Sequence, residues 1–191
     1  MRLVFLITLV WISHACFSTK DTNLSANKLY AQYNFCGNPG VNIIEGYDSI
    51  NTIKQLLSKI RNFPVVIHLW ATWCEPCIAE FRYNSSIYSF LSTNKVEIIY
   101  VSFDKKNADS TWRRVLQDKR IIGYHVRATP ALQDEITTLI WGAKGGYDIP
   151  HSFLFDRFGT IVNRNLPSFE KQDSLFSLIK SELRLSEAIA H

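Results

Sequence analysis

What this 191-residue chain lacks narrows its reading before any motif does. It has four cysteines, Cys16, Cys36, Cys74 and Cys77, and no second CxxC to pair with the one at 74–77. A zinc site needs four ligands, so here His125 and His151 would have to converge on that pair. Long blocks of one charge are also missing. The net charge is +4, and the basic residues come in pairs such as Lys105-Lys106, Arg113-Arg114 and Lys119-Arg120. That pattern suits solvated helix and loop faces, not a nucleic-acid footprint. There is no repeat of fixed period and no nicotinamide or flavin motif. With 47% hydrophobic and 20% charged residues, the chain fits one globular domain with a full core plus short extras.

The N-terminal apolar run, Leu3 to Ile12, is too short to cross a bilayer as a helix. Arg2 precedes it and Ser13-His14-Ala15-Cys16 follows, which reads as a secretory signal over residues 1–15. Cleavage after Ala15 leaves Cys16 as the first mature residue, a position that suits a bacterial lipid anchor. Ser13 and His14 stand where a lipoprotein signal usually has an aliphatic and a small residue, so lipidation and simple secretion both stay open. Either route leads to an oxidising compartment outside the cytoplasm, where disulfides persist. Residues 16–40 are polar, with a turn at Asn38-Pro39-Gly40, and read as a tether to a domain over 41–188.

That domain is organised around Leu69-Trp70-Ala71-Thr72-Trp73-Cys74-Glu75-Pro76-Cys77. The β-branched run before it predicts a strand over 65–70, apolar enough to be buried on both faces. The segment after it predicts a helix running to about Leu91. The two sulfurs, three residues apart, lie on one helical face, close enough to form a small disulfide. The first sits at a helix start, where unpaired N–H groups and the helix dipole favour a thiolate, the reactive form.

Around this centre, Val41 to Gly46 reads as a short strand. Ile50, Ile53, Leu56, Leu57 and Ile60 form a helical stripe capped by Asp48 or Ser49. A second buried strand runs from Val96 to Phe103. Residues 108–119 are an amphipathic helix, and 121–129 reads as a connection with room for a short extended piece. Pro130 opens a helix to about Trp141. Arg157-Phe158-Gly159 is a hairpin signal between Ser152–Asp156 and Thr160–Asn163. Phe169 to Leu185 closes the chain as a helix with Leu175, Leu178, Ile179 and Leu183 inward. The fold class is α/β, a mixed central sheet with helices on both faces and an N-terminal extension.

Trp70 to Cys77 resembles the active site of the thioredoxin fold. More narrowly, it is similar to extracytoplasmic, membrane-tethered TlpA/ResA-like thiol–disulfide oxidoreductases. A second stretch, Gly146-Tyr147-Asp148-Ile149-Pro150-His151 leading to Asp156-Arg157-Phe158-Gly159, matches that family's glycine loop, cis-proline and Asp-x-x-Gly strand end. The resemblance covers about residues 45–185. It implies that Cys74 is an exposed nucleophile and Cys77 a buried resolving thiol, and that Pro150 is cis and faces them. The carbonyl and amide of Ile149 would then pair with an extended substrate. Glu80 matches an acidic residue common in this branch and would carry a proton to or from Cys77. Glu75 and Pro76, between the cysteines, and Trp73 beside them would tune the site. The negative charge of Glu75 opposes thiolate formation at Cys74, so a moderately reducing couple is expected. The implied partners are disulfide-containing protein substrates and a membrane electron donor that re-reduces the pair, with membrane attachment through Cys16 if it is lipidated. No cofactor beyond the redox-active disulfide, no metal and no nucleic acid are expected.

Three features depart from the family pattern. His68 stands where thioredoxins carry a buried acid and this branch often has Asn or Asp; it would be a proton acceptor for Cys77 or a hydrogen-bonded core histidine. Arg82 occupies the place of a helix-kinking proline. Residues 121–145 match loosely. Trp73 is expected exposed and Trp70 buried. The competing readings are a non-catalytic adaptor on the same fold, the zinc site, and a peroxiredoxin. The last wants a threonine three residues before its reactive cysteine, where this chain has Ala71. Asn84-Ser85-Ser86 matches a glycosylation triplet but falls on an expected helix.

Overall fold

The structure is a computed structural model and describes residues 40–143 and 146–189. The expected signal over 1–15 and nearly all of the expected tether, with Cys16 and Cys36, lie outside the described residues. Among the described residues, six strands form one sheet: β1 (Val41–Ile43), β2 (Val65–Trp70), β3 (Glu97–Ser102), β4 (Gly123–Arg127), β5 (His151–Phe155) and β6 (Ile161–Asn163). Their spatial order is β1-β4-β3-β2-β5-β6. The first three pairings are parallel and the last two antiparallel. The helices are α1 (Ile53–Leu57), α2 (Glu75–Glu80), α3 (Asn84–Thr93), α4 (Asp109–Asp118), α5 (Pro130–Trp141) and α6 (Gln172–Ile189). Among the described residues, no helix is long and apolar enough to cross a membrane.

β2 occupies the middle of the sheet and all six of its residues are buried. Its side chains alternate between two cores, as the two-residue period of a strand requires. Val66 and Trp70 face a core shared with Cys77, Phe81, Trp112 and Leu175, under α2, α3, α4 and α6. Val65, Ile67 and Leu69 face the other core, with Leu56, Leu132 and Ile136 from α1 and α5. The expected mixed sheet with helices on both faces is therefore present.

Three local expectations are corrected. First, α1 is shorter than its apolar stripe and is capped by Thr52, not Asp48 or Ser49. Thr52 and Gln55 satisfy each other's backbone N–H groups in a capping box, and residues 47–49 form a separate 3₁₀ turn. Second, the helix after the cysteines does not run unbroken to Leu91. A 3₁₀ turn at Phe81–Tyr83 interrupts it without any proline. Asn84 holds the break in place: its side chain accepts from Ile122 N–H at 2.7 Å and donates to Ile122 O at 3.1 Å and Tyr100 Oη at 2.6 Å. That side chain is buried, so the glycosylation triplet presents no accessible acceptor. Third, the short extended piece allowed within 121–129 is a full parallel strand, β4, paired on both sides. Gly123 hides it in the sequence. Its φ is +141°, and a Cβ there would lie 2.9 Å from Ile98 Cγ2 and 3.0 Å from a Tyr100 ring carbon. Close backbone approach thus selects a residue that reads as a strand breaker.

Candidate active site

β2 ends at Trp70, and a tight turn carries the chain into α2 with Cys74 as its N-cap. Cys74 N–H donates to Ala71 O at 3.1 Å to close that turn. Pro76 sits in the first turn, where a missing N–H costs nothing. Cys74 and Cys77 form a disulfide. The Cys77 backbone N–H points at Cys74 Sγ from 3.2 Å. An N-cap sulfur receiving an amide is a site prepared for negative charge. Cys77 is fully buried. Cys74, expected to be exposed, is the more accessible of the two yet only 5% exposed. Glu75 and Pro76 are exposed. Trp73 is 61% exposed beside the disulfide, while Trp70 is buried edge-on to Phe81, as expected.

The turn is anchored to the neighbouring strand. Thr72 donates through its N–H at 3.0 Å and its hydroxyl at 2.7 Å to the Asp104 carboxylate. Ser102 Oγ donates to the same carboxylate at 2.6 Å. The sequence reading passed over this anchor. Its signal is a Ser-x-Asp at the end of the strand parallel to β2.

From the other side, the Ile149–Pro150 peptide bond is cis. The Ile149 carbonyl oxygen lies 3.6 Å from Cys74 Sγ. Tyr147, 41% exposed, packs edge-on against Phe103. The structure thus brings Cys74, Cys77 and Ile149 together, with Trp73 exposed on the turn that leads into Cys74.

Glu80, one helical turn beyond Cys77, is buried. Its Oε1 accepts from Phe169 N–H at 3.1 Å, and burial pushes its carboxyl up to about 7. The Phe169 amide left no trace in the sequence, because a backbone group does this work. His68 is fully buried under the same helix. Its Nδ1 is 2.8 Å from Ser152 Oγ, and its Nε2 is 3.9 Å from Glu80 Oε2. This is not an ion pair, because burial pushes His68 down to about 3 and keeps it neutral. His125 and His151 do not converge on the cysteines: β4 and β5, which carry them, have β3 and β2 between them. Among the described residues, no group of three or more His, Cys, Asp and Glu is placed to hold a metal ion.

Comparisons with known proteins agree with this geometry. A protein of Oceanobacillus iheyensis named thiol-disulfide oxidoreductase ResA is 28% identical over 98 residues, 51% of this chain and 50% of its own. The Bacillus subtilis protein of the same name is 34% identical over 82 residues, 38% of this chain and 45% of its own. The chain spans about half the length of the curated relatives it matches. The thioredoxin domain of a thiol-disulfide oxidoreductase from Bacteroides vulgatus superimposes with a TM-score of 0.52 at 20% identity. That match covers 66% of this chain and 84% of the other. A thioredoxin-family thiol:disulfide interchange protein from Chlorobium tepidum gives a TM-score of 0.52 at 18% identity, over 64% of this chain and 83% of the other. These two establish the thioredoxin-like fold. The family model described as AhpC/TSA matches residues 48–164, across the turn, both cysteines and Pro150, and the chain belongs to the AhpC/TSA family.

Proposed function

We propose that this protein is a thiol–disulfide oxidoreductase that reduces disulfides of extracytoplasmic proteins through Cys74 and Cys77. The observation that carries the reading is the amide of Cys77 on Cys74 Sγ, in a pair that also faces the Ile149 carbonyl. The names of the sequence relatives support it. In the reduced enzyme the Cys74 thiolate attacks one sulfur of a substrate disulfide. That bond breaks, a mixed disulfide forms, and the departing substrate sulfur takes up a proton. Cys77 gives its proton to Glu80 and attacks Cys74 Sγ. The second substrate sulfur leaves and is protonated, and two electrons have passed from enzyme to substrate. An extended substrate lies along Ile149, with Trp73 on the rim. A partner dithiol protein at the membrane then re-reduces the pair. Glu75 makes the couple moderately reducing. The work is done outside the cytoplasm, where cytochrome c maturation or envelope redox homeostasis would supply such substrates, on a chain that Cys16 ties to the membrane if it is lipidated.

The test is substrate trapping. Cys77→Ala cannot resolve the mixed disulfide, so disulfide-linked partners should accumulate on Cys74, while the wild type reduces insulin. If no adducts form and the wild type leaves insulin intact, the reading is wrong.

A further inference from the structure

The exchange chemistry above leaves His68 without a role. Its place is set by strand register: His68 lies opposite Tyr100 on β3 and Ser152 on β5. Phe169 stacks on its ring with centroids 4.3 Å apart, and Tyr100 meets it edge-on at 5.4 Å. The ring is therefore fixed on three sides. Nδ1 is taken by Ser152 Oγ. Nε2 is buried without a hydrogen-bond partner and faces Glu80 Oε2. The carboxyl mirrors this arrangement, since its Oε1 is taken by Phe169 N–H and its Oε2 faces the imidazole.

A serine hydroxyl can donate or accept. If Ser152 donates into Nδ1, the neutral ring must carry its proton on Nε2. That N–H then points at a carboxylate buried in an apolar core, where an unpaired charge is expensive. At 3.9 Å the pair is open in the disulfide state, and ionisation of Glu80 supplies the attraction that closes it.

We propose that His68 is a positioning residue for Glu80: held by Ser152 in the Nε2–H tautomer, it donates to the carboxylate whenever Glu80 is ionised and so sets the pH at which Glu80 can take a proton from Cys77. This rests on the proton-carrying role given to Glu80 above. Other groups that act on the pair are Glu170, just before α6, which opposes ionisation of Glu80, and His151 on β5, whose charge disfavours protonation of His68. Tyr100 on β3 stays neutral, because burial raises its phenol above the usual range. His68 also stays neutral across the working range, which makes the tautomer, not the charge, the working variable.

Nuclear magnetic resonance of the ¹⁵N-histidine, ¹³C-carboxyl-labelled protein tests this without any substrate. Nε2 should be protonated from pH 5 to 9, and its proton signal should move with the Glu80 titration. Two variants separate donor from filler. His68→Asn keeps a group near Nδ1 but loses Nε2, and should raise the Glu80 midpoint by about one unit. His68→Gln reaches towards the Nε2 position and should bring the midpoint back. The pH profile of mixed-disulfide resolution should shift by the same amount in each. A ring protonated on Nδ1, or a Glu80 midpoint unmoved in His68→Asn, overturns the proposal, and so does a His68→Gln midpoint equal to that of His68→Asn. The wild-type tautomer decides the matter even if a variant fails to fold. If the tautomer and midpoints behave as stated while trapping through Cys77→Ala fails, the functional reading falls and the His68–Glu80 pairing stands.

Discussion

A few buried side chains in this fold have surroundings that contradict their usual behaviour. Glu80 is the clearest case. Burial raises its carboxyl from the ordinary 4.5 to about 7, so the folded protein keeps a proton that the unfolded chain has already released. Its contribution to stability therefore falls as pH rises from 4.5 to 7. Glu80→Gln keeps an oxygen for the Phe169 amide and removes the ionisation. It should unfold at a higher temperature than the wild type at pH 8, by an equivalent of about 2–3 kcal/mol, with the difference vanishing below pH 4.5. Calorimetry at the two pH values checks this. The same variant should slow mixed-disulfide resolution about a hundredfold, the lower range for loss of a general base, as read by quenched-flow trapping.

At the scale of the element, the 3₁₀ break between α2 and α3 is maintained by one amide. Replacing Asn84 with Ala would leave Ile122 N–H, Ile122 O and the buried Tyr100 hydroxyl without the partners described above. A destabilisation of about 2–3 kcal/mol is expected, measured as a lower urea midpoint with an unchanged slope. This element also shows what a sequence can reveal. The start of α2 was legible, because strand, turn, cysteine spacing and proline all agree. The break was not, because Phe81-Arg82-Tyr83 carries no breaker and the cause lies in a long-range bond to the 121–123 segment. The extent of β4 was hidden for a similar reason: Gly123 answers a clash with Ile98 and Tyr100 that only the sheet creates. Pro130 and the 157–159 hairpin were readable because their geometry is local. Ser152 and the Phe169 amide were not, since their roles depend on register and on a loop that returns from a distant part of the chain.

For the whole molecule, the polar row Ser152–His68–Tyr100–His125 crosses four strands beneath α2–α4. His125 stacks on Tyr100, donates through Nε2 to Ile121 O at 2.7 Å, and is pushed down to about 4 by burial. Both histidines have folded values below the ordinary 6.5, so the stability they contribute is complete above pH 6.5 and is lost as pH falls towards 4 and 3. Acid should therefore unfold the protein through its core. His125→Gln, which keeps a donor for Ile121, should flatten the fall in unfolding free energy between pH 6.5 and 4 by about 3 kcal/mol, as measured by denaturant titration.

Among the described residues, the outer strands of the sheet, β1 and β6, are three residues long. A neighbouring chain finds too little backbone there to zip onto, which lowers the risk of edge-to-edge fibre growth. Such restraint matters for a protein proposed to handle partly unfolded, thiol-bearing clients. On that proposal, client backbone is gripped at the Ile149 segment and released after each exchange, while these short margins give it little to hold.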